Sequence, residues 1–281
     1  MHQRIVGVLF LSAAVSGVLR AQDCPVPSSS NEAKLLAYYA APLTFSPSGA
    51  IGGLAPGSVR LGFEITVIPA PGDELRHTSL CFFEKEENSQ LSSVFPRPHL
   101  TVGLPAGFFA EVMYLPPVTV GDATANMASL ALGVVKSISP RVGVALRAHT
   151  TFGHVKGPIT CPEEALQQQT VDQACYGVAP SEDTYRPNII GGELALTISA
   201  SERVKLYAGG GYNSLRPRFR VGFQPTNAPF DRTLVSTKLS RLALMAGGSV
   251  QVLSKVALTG ELYSVPEDVT TIRLGGSWRI H

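Results

Sequence analysis

Charge is scarce in this sequence. Lys, Arg, Asp and Glu make up 16% of its 281 residues, against about 25% in ordinary soluble domains, and the two signs nearly cancel at +2. So small an excess gives no basis for binding nucleic acid. Tryptophan occurs once. With 27 Gly and 21 Pro the chain is no coiled coil, and no polar tract is long enough to leave it disordered. Long apolar runs are also missing: a spanning helix needs about 20 residues, and only one run approaches that.

That run covers residues 5–19, directly after Met1-His2-Gln3-Arg4, and ends at Leu19-Arg20-Ala21 before Gln22. A basic start, an apolar stretch and a small-residue exit describe a secretory signal peptide cleaved after Ala21, leaving about 260 mature residues. The competing reading, an uncleaved anchor, asks for a longer run. Asp23 beside Cys24 does not fit a lipobox. The division expected is residues 1–21 as signal peptide, 22–57 as an N-terminal periplasmic or lumen-plug segment, and 58–281 as a β-barrel.

Export makes the four cysteines readable. Cys24, Cys81, Cys161 and Cys175 are even in number and contain no C-x-x-C pair, which favours disulfides over metal or redox chemistry. Of the three connectivities, the favoured one joins Cys161 to Cys175 across a polar segment and leaves Cys24 with Cys81.

From Val59 onward the chain alternates. Val59, Leu61, Phe63, Ile65 and Val67 are apolar, and Arg60, Gly62, Glu64 and Thr66 lie between them, the period of a strand with two unlike faces. The pattern returns over residues 141–153, 188–200, 203–213, 241–253, 255–264 and 270–280, and more weakly over 99–104, 107–115 and 125–137, which makes ten strands. Tight turns follow the even-numbered strands. Longer connections follow the odd ones, at 69–98, 116–124, 154–187, 215–232 and 266–269. Short turns at one end and long loops at the other predict an all-β fold: a closed antiparallel transmembrane barrel of about ten strands, loops outside the cell, with a short N-terminal helix and both termini periplasmic.

In such a barrel each strand turns one face to lipid and the other to the lumen. The lumen face would carry Arg60, Glu64, Glu111, Arg147, His149, Glu193, Lys205, Arg241, Glu261 and Arg273, four acids facing five formal cations. The lipid face is almost free of charge, as a cost of about 2–4 kcal/mol for Arg or Lys at the midplane requires. Ten strands leave little room for water. These charges are therefore read as a paired network in a narrow lumen rather than a selectivity lining, with Arg273 beside Glu261.

The last strand reads polar-x-Gly-x-x-aromatic-x-hydrophobic in Arg273, Gly275, Trp278 and Ile280. It resembles the C-terminal signal by which bacterial outer-membrane barrels are recognised by their assembly machinery, although His281 follows it. The stretches Leu36-Ala-Tyr38-Tyr39-Ala-Ala-Pro42-Leu43 and Leu104 to Pro117 resemble uncharacterised bacterial outer-membrane barrels, loosely similar to small porin-like or fatty-acid-transporter-like barrels. That resemblance implies a membrane barrel in contact with outer-membrane lipid, lipopolysaccharide and the barrel-assembly machinery. It carries no catalytic residue, and the chain is short for the fatty-acid transporters.

Residues 31–41 predict a short helix capped by Ser30 or Asn31 and ended by Pro42, either a plug or a lead-in to the first strand. Arg216, Arg218 and Arg220 alternate with Pro217, Phe219 and Val221, and are read either as a contact with lipopolysaccharide phosphates or as one solvated strand face. An outer-membrane lipid-modifying hydrolase would need His149 or His154 beside a nucleophile, but no G-x-S-x-G, H-E-x-x-H or P-loop is present. No metal or cofactor motif appears, and the expectation is a non-enzymatic protein passing a small or apolar solute of unknown identity, or serving a structural role. A secreted β-sandwich binding protein would alternate too, but with polar outer faces.

Overall fold

The computed structural model describes residues 22–45, 49, 54–76, 81, 93–171 and 173–280; the expected signal peptide lies outside them. In chain order the elements are β1 (Asp23–Pro25), α1 (Asn31–Leu43), β2 (Val59–Val67), α2 (Asp73–Arg76), β3 (Val94–Gly103), β4 (Phe108–Val120), β5 (Ala123–Ser139), β6 (Val142–Gly157) and β7 (Asp183–Arg186). They continue as β8 (Ile189–Ser199), β9 (Val204–Leu215), β10 (Arg218–Arg220), β11 (Leu234–Ser236), β12 (Leu239–Leu253), β13 (Val256–Val265) and β14 (Val269–Arg279).

Ten of these strands close into a barrel. Strands β2 to β6, β8, β9 and β12 to β14 each pair antiparallel with the next around the ring, β6 reaching β8 and β14 returning to β2. Closure leaves no open edge in the ring, the condition for satisfying backbone polar groups away from water. The side-chain faces follow the alternation. On β2, Leu61, Phe63, Ile65 and Val67 point outward at 38–49% exposure, whereas Glu64 and Thr66 are buried. Outward Leu130, Leu132, Leu146, Leu194, Leu244 and Leu274 continue the apolar band around the ring. Charge is scarce because this band excludes it.

Three expectations need correction. First, β3 begins at Val94, inside what reads as loop 69–98. Its inward residues Phe95, Arg97, His99 and Thr101 are all buried, and the alternation is hidden by outward Pro96 and Pro98, which break the ordinary strand signature. Second, the connection expected over 116–124 is almost entirely strand: the β4–β5 ladder runs out to Val120 paired with Ala123, with a register shift between Leu115 and Val118 at Pro116-Pro117.

Third, the first and last strands of the described residues lie at opposite ends of the barrel. Strand β1 pairs in parallel with β11, which joins β10, β7 and the loop end of β6 in a small sheet extending the wall. Strand β1 is thus at the long-loop end, while Arg279 of β14 faces Arg60 at the turn end. The two described ends are therefore not on the one side that placing both termini in the periplasm requires. The chain runs down the lumen as α1 and enters β2 at Val59, the turn end.

The two disulfides join Cys24 to Cys81 and Cys161 to Cys175. The first ties the N-terminal strand to the β2–β3 loop. The second closes a 14-residue separation in the β6–β7 loop.

Candidate functional site

Helix α1 starts at Ser30, whose hydroxyl accepts from the Ala33 amide at 3.1 Å; it passes Pro42 by one residue. Ten of its thirteen residues are buried, around its whole circumference, the signature of a helix enclosed by protein. Ala33, Ala37, Ala40 and Ala41 keep it slim enough for a narrow barrel. At its upper end the Tyr38 hydroxyl donates to the Pro69 carbonyl, and the Tyr185 hydroxyl donates to the Leu36 carbonyl at 2.7 Å. Tyr185 belongs to the small sheet at the loop end, and burial holds its phenol well above the ordinary value, so it remains a donor.

The lower end of α1 rests on three arginines. A helix C-terminus presents unpaired carbonyls and partial negative charge, and the Thr44 carbonyl accepts from Arg97 Nη1 at 2.6 Å and from Arg273 Nη2 at 3.4 Å. The Phe45 carbonyl accepts from Arg147 Nη1 at 2.6 Å, with the guanidinium 4.5 Å from the Phe45 ring centroid. Each arginine also pairs with the wall. Arg97 bonds Glu64; Arg147 Nε donates to Glu111 at 2.7 Å and its Nη1 to Glu193 at 2.9 Å; Arg273 Nη1 donates to Glu261 at 3.3 Å. The Tyr207 hydroxyl donates to the other Glu261 oxygen at 2.9 Å.

The structure therefore brings together seven of the ten residues read as lumen charges: Glu64, Glu111, Arg147, His149, Glu193, Glu261 and Arg273. His149 Nε2 lies 3.7 Å from Glu193. Close approach is possible because glycines lie beneath long side chains: a Cβ on Gly191 would stand 2.1 Å from Asn213 Oδ1 and 2.6 Å from His149 Nε2. Arg241 is inward but higher, bonding Asp268 at 2.8 Å and lying 3.3 Å from Glu267 in the β13–β14 turn. Burial lifts the Asp268 carboxyl above its ordinary range, opposed by Arg241. Arg60 and Lys205 depart from the expected network, for they sit at the turn end without an ion pair among the described residues.

Sequence reading missed Arg97, Tyr207 and Tyr263, whose ring lies 3.8 Å beneath the Arg273 guanidinium. Arg97 was legible in principle, since it keeps step with His99 and Thr101, but the flanking prolines masked it. Nothing in the sequence could announce that the backbone carbonyls of Thr44 and Phe45, just past α1, would complete the arginine cluster.

On the outer side, Trp278 and Ile280 of the C-terminal pattern face outward, while Arg273 is buried and Gly275 pairs with Glu64. Arg216, Arg218 and Arg220 are exposed at the loop end. Arg218 stands directly opposite Arg186 of β7, also exposed, whereas Tyr185, Phe219 and Val235 form the buried face of the same small sheet.

The fold is a closed, ten-stranded antiparallel β-barrel with an apolar outer band. The solved structures similar to it include the attachment invasion locus protein Ail of Yersinia pestis, with 12% identity, a TM-score of 0.34, and 80% of this chain and 100% of that one covered. They also include the toluene transporter TodX of Pseudomonas putida (10%, TM-score 0.33, 92% and 77% covered) and the outer membrane protease OmpT of Escherichia coli (8%, TM-score 0.39, 79% and 91% covered). No family model matches the chain, and neither does any curated protein sequence.

Proposed function

We propose that this protein is a plugged, non-enzymatic outer-membrane barrel that admits a small apolar molecule through its wall between β3 and β4. One observation carries the reading. The β3–β4 ladder ends at His99 opposite Met113, yet β3 starts five residues earlier and β4 continues to Val120. Pro96, Pro98, Pro116 and Pro117 lack the N–H groups a ladder needs. Over this stretch an apolar cavity of about 50 Å³ links Tyr39 and Leu43 of α1 with Val94 and Val118, which are 39% and 40% exposed on the outer face. That volume holds a few waters at most, so entry of a solute requires α1 to shift. The axial route is filled by α1 and its arginines, which supports a lateral route over a water-filled channel.

The test is uptake of a small apolar fluorophore by cells with and without the protein, beside conductance of the purified protein in planar bilayers. Faster uptake, lost when Ala125→Trp fills the cavity, with no stable conductance steps, is the result expected. Uptake independent of the protein, or large steady conductance, overturns it.

The exposed arginines favour a second role at the rim. Arg186 and Arg218 repel one another where they stand, and phosphates of outer-leaflet lipopolysaccharide would relieve that repulsion. If changing Arg186, Arg218 and Arg220 to Gln leaves co-purifying lipopolysaccharide unchanged, this contact is absent.

A further inference from the structure

The turn end of the lumen differs electrostatically from the rest. A cavity of about 70 Å³ there is lined by Arg60, Arg203, Lys205, Lys255 and Arg279, with Glu202 the one carboxylate among its lining residues. Higher in the lumen Arg97, Arg147, Arg241 and Arg273 each meet a wall or turn carboxylate. Here, among the described residues, none of the five cations has such an ion pair. Arg60 and Arg279 are direct cross-strand partners, an arrangement that destabilises a sheet unless an anion lies between or beside them. Glu111, on the wall nearby, is held by Arg147, and residues 46–53, which lead from the plug to β2, contain no Asp or Glu. Neutral donors complete the lining, with the hydroxyls of Ser249, Thr259 and Ser277. Cations from three strands and two turns, interleaved with hydroxyls, are what an oxyanion site requires.

We propose that this mouth binds a phosphate oxyanion. The cavity is under half the roughly 150 Å³ that accommodates benzene, so it suits one tetrahedral group rather than a whole solute. Arg60 and Lys205 would hold that group from within the lumen, and Arg203, Lys255 and Arg279 would close over it from the rim. At the turn end, facing the periplasm by the loop rule, the group can come from free phosphate or from the headgroup of an inner-leaflet phospholipid. This site is independent of the lateral route between β3 and β4.

Titration calorimetry on the full mature chain in a non-ionic detergent tests it, with inorganic phosphate and short-chain phosphatidylglycerol as separate probes at fixed ionic strength. Saturable binding is expected, weakened about tenfold for each charge-assisted contact removed by Arg60→Gln or Lys205→Gln and unchanged by Lys136→Gln, an exposed cation of β5 that does not line the cavity. Binding of phosphate assigns a free anion; binding of the phosphatidylglycerol alone, with the same losses, assigns a headgroup. Should either variant fail to fold, acylation of Lys205 in the unaltered protein gives the answer, since the bound probe must protect it. No saturable binding of either probe, binding indifferent to both substitutions, or Lys205 equally reactive with and without the probes overturns the proposal.

Discussion

Arg147 shows why single residues matter more in this lumen than on a soluble surface. Its guanidinium is shut away from solvent and serves Glu111, Glu193 and the Phe45 carbonyl together. Taking one partner out of a buried ion network leaves uncompensated charge and costs about 3–5 kcal/mol. Arg147→Met is therefore expected to lower stability by that amount, measured by urea unfolding in detergent micelles and followed by heat-modifiable migration. Adding Glu193→Leu to Arg147→Met should recover part of the loss, because contacting residues are not additive. Arg147 and Glu193 were legible as inward residues from alternation alone, and the expected pairing of Arg273 with Glu261 is present in the structure. Arg97 was not, because Pro96 and Pro98 imitate a loop. Asp268 and Glu267, the actual partners of Arg241, sit in a turn, where a period of two has nothing to say.

At the scale of the element, each barrel strand is specified by one face that must meet lipid. The constraint depends on depth. Leu132 lies outward near the middle of β5, while Ile138 lies outward close to its turn end. Leu132→Lys should cost about 2–4 kcal/mol and Ile138→Lys only about 0–1 kcal/mol, compared by folding yield into thin-bilayer vesicles and by urea titration. Equal costs at the two positions would mean that the apolar band is not where the alternation places it. Helix α1 answers to a different constraint. Its alanines and its cap at Ser30 were readable as a helix, but whether that helix plugs a lumen or merely leads into a strand depends on partners 50 to 230 positions away in sequence, such as Arg97 and Arg273 at the Thr44 carbonyl.

At the scale of the whole molecule, the threaded N-terminal segment sets the orientation of everything else. Strand β1 is held at the long-loop end by β11 and by the Cys24–Cys81 disulfide, so the chain traverses the lumen before its first wall strand. An epitope tag inserted after Gln22 is expected to be labelled by antibody on intact cells, whereas a tag in the turn between β12 and β13 should be labelled only after permeabilisation. The opposite pattern would place the N-terminus in the periplasm.

The sequence by itself determined the class of the molecule: a two-faced strand repeated ten times, with turns and loops sorted to opposite ends, admits little else than a closed membrane barrel. It did so because lipid acts on each strand separately, and a local period of two records that. Only the tertiary structure decided what fills the barrel, where the N-terminus emerges, where the β3–β4 ladder fails, and which cations lack carboxylates. Those outcomes depend on contacts between distant segments, several made by backbone carbonyls that carry no residue identity, and no local pattern encodes them.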